Sequence, residues 1–129
     1  MKDRSFYVVD SSGWLEFAAD GPAAERFFHY IEQADHLIVP SLVVYEVYQC
    51  LRRDASESLA DAVLAHMGNA RTAPFDHQLA VQAAEAALTY KLAAADAIIY
   101  ATAQAHHATL VTGDADFKDL PNVVYLSKN

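Results

Sequence analysis

The stretch ADAIIYATAQAHHATLVTGDADF, residues 95–117, holds in one run the patterns that decide the fold. Its first half is almost uncharged, and Ala97, Ala101 and Ala105 recur at helical spacing, which predicts a helix able to pack closely on a neighbour. Its middle, TLVT (residues 109–112), is a short β-branched run of the kind that fills a strand buried on both faces. Gly113 then opens a turn in which Asp114 and Asp116 stand one residue apart. Gly and Asp are ordinary turn residues, and exposed carboxylates cost little there, so the pair taken alone reads as a solvated turn.

Outward from this stretch the same alternation repeats. FYVV (residues 6–9), ending at Asp10, and HLIVP (residues 36–40), stopped by Pro40, read as strands with both faces buried. Between them GPAAERFFHYIEQA opens with Gly21-Pro22 and places Phe27, Phe28, Ile31 and Ala34 at helical spacing. After Pro40, Ser41 is expected to cap a helix LVVYEVYQCLRR, whose closing Arg52 and Arg53 suit the negative end of the helix dipole. A helix from about Ser56 to Met67, a short strand TAPF (residues 72–75), a cap at Asp76 or His77, an Ala-rich helix QLAVQAAEAALTYKL and a final strand VVYL (residues 123–126) complete the chain. The expected fold is α/β: one domain over residues 1–129, with a mainly parallel central sheet and helices on both faces.

Composition narrows the function. With 129 residues, 53% of them apolar and 20% charged, and only four Gly and four Pro, the chain is expected to bury one core and not to be disordered. No apolar run approaches the roughly 18 residues of a membrane span, and Met1 to Asp10 lacks the apolar centre and cleavage site of a signal peptide, so a cytoplasmic protein with no membrane partner is expected. The single Cys50, flanked by Val47 and Leu51, is expected to be an ordinary buried thiol. Six scattered His residues show no paired ligand spacing, which argues against zinc. Trp14, Phe17, Phe27, Phe28 and Tyr30 are expected mainly in the core, and Arg52, Arg53 and Arg71 are the cations that could meet phosphates. Nine Lys and Arg against seventeen Asp and Glu give a net charge of −8, the wrong sign for holding nucleic acid on a broad basic surface. Divalent cations on a carboxylate cluster would solve that problem, because they present positive charge to a phosphate.

Three acids stand at strand exits, Asp10 after the first strand and Asp114 and Asp116 after TLVT, where open α/β sheets gather functional groups. Glu46 lies in mostly apolar surroundings, and Asp96 interrupts an uncharged segment, where it either caps a helix or serves chemistry.

VVDSSGWLEF with Asp10, PSLVVYEV with Glu46, AAADAIIYATA with Asp96 and LVTGDADF with Asp114 and Asp116 resemble, in order, the four successive motifs of PIN-domain ribonucleases, the bacterial VapC toxins of type II toxin–antitoxin systems being the closest group. The resemblance implies a metal-dependent endoribonuclease that hydrolyses RNA phosphodiester bonds. Asp10, Glu46, Asp96 and Asp114 would then be catalytic and hold Mg²⁺ or Mn²⁺, with Asp116 a further metal ligand and Ser11 and Thr112 in support. It also implies an RNA substrate, a cognate antitoxin protein and a homodimer, for which the segment from Trp14 to Tyr30 and the helix with Tyr45 and Tyr48 offer apolar surface. Gly113 departs from the pattern, standing where many relatives have a polar or basic side chain. Alternatives are a PIN nuclease that processes RNA without an antitoxin, and a non-catalytic PIN-fold binding module. An aspartyl phosphatase with Asp10 as nucleophile is disfavoured, since that class places a second Asp two residues on and Ser12 stands here.

Overall fold

A computed structural model describes residues 5–128; the first four residues of the stretch read above for a leader lie outside them. Five strands are present among the described residues: β1 (Phe6–Val9), β2 (Ile38–Pro40), β3 (Arg71–Ala73), β4 (Ala108–Thr112) and β5 (Val123–Tyr125). β1 pairs with β4, β4 with β5 and β2 with β3, every pair parallel, and a parallel bridge between Tyr7 and Leu37 joins the two groups in the order β3-β2-β1-β4-β5. Six helices surround the sheet: α1 (Ser11–Ala18), α2 (Ala24–Ile31), α3 (Ser41–Asp54), α4 (Glu57–Gly68), α5 (His77–Tyr90) and α6 (Ala94–Ala105). Single 3-10 turns occupy Ala34–His36 and Ala115–Phe117.

The strand order reverses between β1 and β4, the point at which open parallel sheets leave a crevice beyond their carboxyl ends. Register sets what lines it. Val9 lies beside Val111, so Asp10 and Thr112, each one step further on, face each other across the switch point. Below them the core is closed by Val8, Val9, Trp14, Phe27, Val39, Tyr100, Leu110, Val111 and Phe117, none more than 1% exposed.

Helix ends follow the local chemistry, with exceptions. The Ser56 hydroxyl accepts from Leu59 N at 3.0 Å, and the Asp76 carboxylate accepts from Leu79 N at 2.9 Å. Ser41 is not a cap as expected: Pro40, with extended backbone, takes that place without a side-chain bond, and Ser41 is the first helical residue. Asp96 does not cap either. Ala93 holds the N-cap of α6, and Asp96 sits in the first turn with its carboxylate free for other work. Of the aromatics, Trp14 and Phe27 are fully buried, whereas Phe28 faces outward at 37% exposure. Cys50 is half-buried, not fully so, with its thiol 3.8 Å from an Asp54 oxygen.

The α1 helix is not among the elements expected from the sequence, and a glycine inside a helix costs about 1 kcal/mol relative to alanine. The structure requires Gly13 for a steric reason. A Cβ at position 13 would lie 2.6 Å from Val9 Cγ1 and 2.7 Å from Phe27 Cδ1 and Cε1, both rigid core side chains. Gly13→Ala is therefore expected to destabilise the protein by about 1–3 kcal/mol through overpacking, read as a lower midpoint in urea. An unchanged or raised midpoint would show that α1 can move away from β1.

Candidate functional site

Asp10 is the hub of the switch point. Its N–H donates to Val111 O at 3.1 Å, which extends the β1–β4 ladder and fixes its backbone. Its side chain caps α1: Oδ1 accepts from Gly13 N at 3.2 Å and from the Ser12 hydroxyl at 2.6 Å, and Oδ2 accepts from the Thr112 hydroxyl at 2.7 Å. Both hydroxyls then reach into the acidic turn. Thr112 Oγ1 accepts from Asp114 N at 2.9 Å, and Ser12 Oγ accepts from Gly113 N at 3.1 Å. Asp114 Oδ1 in turn accepts from Asp116 N at 2.9 Å. A continuous set of bonds thus runs from the buried Asp10 carboxylate through the half-buried Asp114 to the backbone of the exposed Asp116 and shapes the turn. Burial pushes the Asp10 carboxyl above the usual range; the Ser12, Thr112 and Gly13 hydrogen bonds oppose this, and the Asp114 charge adds to it.

The other two acids arrive on helices. Glu46, half-buried on α3, accepts from the Ser11 hydroxyl at 2.5 Å, so Ser11 supports Glu46 rather than Asp10. Asp96, half-buried on α6, has its pKa raised to about 6, first by partial burial and then by the charges of Asp114, Asp116, Asp10 and Glu46. Every acid singled out in the sequence therefore bears on Asp96 electrostatically.

Proximity divides the five into two groups. Asp96, Asp114 and Asp116 each offer a carboxylate oxygen, and those atoms all lie within 4.8 Å of one another. Asp10 and Glu46 are not part of that group; each is held by hydroxyls and acts on Asp96 through its charge. Such a set of hard oxygen donors, crowded and without an ion pair among the described residues, suits a divalent ion that keeps part of its hydration shell. Among the described residues the only ion pair is Arg53–Asp54, on the exposed end of α3. No His or Cys joins the acidic group.

Ser12 was missed in the sequence reading, although two consecutive serines after a strand-end Asp offered the hint. One ties down Asp10 and the other Glu46. Elsewhere, an apolar hollow of about 620 Å³ between α3 and α4 is lined by Val44, Tyr45, Tyr48, Arg52 and Leu64 among others. No helix among the described residues is long and apolar enough to cross a membrane.

The PIN domain family model matches residues 7–123. No match was found among curated proteins. Among solved structures, a toxin–antitoxin complex from Klebsiella pneumoniae is similar at 21% identity and a TM-score of 0.79, covering 92% of this chain and 95% of that one. The VapBC2 complex of Rickettsia felis, bound to a promoter DNA fragment, gives 15% identity and a TM-score of 0.74, covering 96% and 99%. The VapC20 toxin of Mycobacterium tuberculosis, described as cleaving the sarcin–ricin loop, gives 20% identity and a TM-score of 0.73, covering 91% and 96%. At these identities the likeness speaks for the fold.

Proposed function

We propose, from the premise that the chain belongs to the PIN domain family, that it is a metal-dependent endoribonuclease acting as the toxin of a toxin–antitoxin pair. The observation that carries the reading is the convergence of Asp96, Asp114 and Asp116 within 4.8 Å at the sheet's switch point, with the charges of Asp10 and Glu46 also acting on Asp96. Asp96, Asp114 and Asp116 would hold Mg²⁺, or Mn²⁺, with Asp10 and Glu46 completing the acidic environment. An ion held there would supply a water of lowered pKa and positive charge to offset that on the attacked phosphate. Asp10 keeps the turn in shape through Thr112 and Ser12, and Ser11 orients Glu46. Without a cation these residues repel RNA, which fits a chain of net charge −8.

The antitoxin reading is supported by the toxin–antitoxin complexes that share the fold. The surface suited to an antitoxin or a second copy is narrower than the sequence suggested. Trp14 and Phe27 are buried in the core, which leaves Phe28 and the hollow with Tyr45, 59% exposed, and Leu64, 39% exposed. A cytoplasmic location follows from this same role.

Sequencing RNA ends after induced expression tests the reading, with cleavage expected in the parent and none in Asp96→Asn. In vitro, EDTA is expected to abolish cleavage and Mg²⁺ or Mn²⁺ to restore it. Full activity in chelator would overturn the mechanism. Because Asp96 titrates at about 6, protons compete with the ion below that pH, and Mg²⁺ affinity measured by calorimetry is expected to weaken by about tenfold per pH unit there. A flat affinity from pH 5 to 7 would remove Asp96 from the ligand set.

A further inference from the structure

Gly113 separates Thr112, which bonds Asp10, from Asp114, which belongs to the acidic group. The space a side chain at 113 would fill is already taken. A Cβ there would lie 2.9 Å from Lys128 Cε, with Leu126 O and Phe27 Cζ next at 3.4 Å. The lysine stem therefore lies across the bare glycine.

Two contacts hold it there. Leu126 N donates to Thr112 O at 2.8 Å, which carries the β4–β5 ladder beyond Tyr125, and Arg26 Nη2 donates to Ser127 O, which ties the following residue to α2. Although Asp114 is the next residue after Gly113, the exposed Lys128 ammonium makes no ion pair with a carboxylate among the described residues. The residue is exposed with Cε over the glycine, and a lysine so placed keeps its charge in water while its stem follows the surface. Lys118, placed over the Tyr125 ring at 5.6 Å, puts a second cation along the same strand.

We propose that Lys128 is a substrate-positioning residue that binds a phosphate of single-stranded RNA beside the acidic group, from the space left by Gly113. The proposal rests on the ribonuclease reading above and names the residue that offsets, at the rim, the repulsion between RNA and a chain of charge −8. A phosphate accepts a charge-assisted hydrogen bond from an ammonium, and each such contact adds to the salt dependence of binding.

The test is binding of a labelled, mixed-sequence single-stranded RNA by fluorescence anisotropy across a salt series, in the Asp96→Asn background so that nothing is cut, together with KM and kcat in the parent background. Lys128→Gln is expected to weaken binding by about 3- to 10-fold and to reduce the slope of log K against log salt by about 0.7. It should raise KM while kcat stays within about twofold, the pattern of lost ground-state binding. Lys128→Arg should keep the parental slope. A parent that cleaves RNA alongside a Lys128→Gln variant with parental slope and KM would overturn the proposal and leave the ribonuclease reading intact. A parent that neither binds nor cleaves RNA would overturn both.

Discussion

Asp96→Asn is expected to lose RNA cleavage by about 10²- to 10³-fold or more, since a metal ion supplies several kcal/mol of transition-state stabilisation and each 1.4 kcal/mol is about a decade in rate. The same variant, freed of metal by EDTA, is expected to unfold at the same temperature as the parent or higher. The reason is linkage. Burial and four neighbouring carboxylates raise the Asp96 pKa from 3.8 to about 6, so between these values the folded protein binds more protons than the unfolded chain. The stability due to that proton is fully present below about 3.8 and is lost as pH rises through about 6; at neutral pH the Asp96 charge is a net penalty in the metal-free state. Solvent reaches the half-buried group, so the penalty is discounted to about 1 kcal/mol or less. Mg²⁺ should raise the parent's melting temperature and do much less for the variant. Differential scanning calorimetry in EDTA and in Mg²⁺ checks both parts. A variant several kcal/mol less stable that still cuts RNA would make Asp96 structural.

Asp10→Ala should move stability the opposite way. It removes the cap of α1, worth about 1 kcal/mol, and strips the acceptor from the Ser12 and Thr112 hydroxyls and Gly13 N. With the buried donors left unpaired the expected loss is about 2–4 kcal/mol, measured by urea unfolding, and cleavage should fall as well. Asp10→Asn keeps an acceptor for the cap and should lose less than half as much. If Asp10→Ala instead unfolds like the parent, the hydrogen bonds around Asp10 do not hold the turn. The contrast bears on experimental design: silence of Asp10→Ala in cells mixes lost chemistry with lost folding, whereas Asp96→Asn isolates the chemistry.

What the sequence conveyed and what it hid follow from physical range. Strands such as β4 are legible because a buried strand must be apolar along its whole length, and the caps at Ser56 and Asp76 because the bond lies within three residues. The acids at strand ends were legible for the same local reason. The α1 helix was not, since Gly13 is unfavourable locally and is required by Val9 and by Phe27 from another helix. Asp96 could have been a cap on sequence alone; only the course of the chain at Ala93 decides otherwise. Lys128 was wholly hidden, because its place beside Gly113 depends on the β4–β5 register and on Arg26 from α2.

The Thr112–Asp10 hydrogen bond joins residues 102 apart in sequence. On a ribosome adding roughly 5–20 residues per second, β1 waits on the order of 5–20 s before the strand that flanks it has been made. Through that interval Asp10 lacks its Thr112 partner, and Asp114 and Asp116 have not yet been translated. The acidic group is therefore among the last features of the molecule to form, and a nascent or prematurely terminated chain that stops short of β4 cannot assemble it.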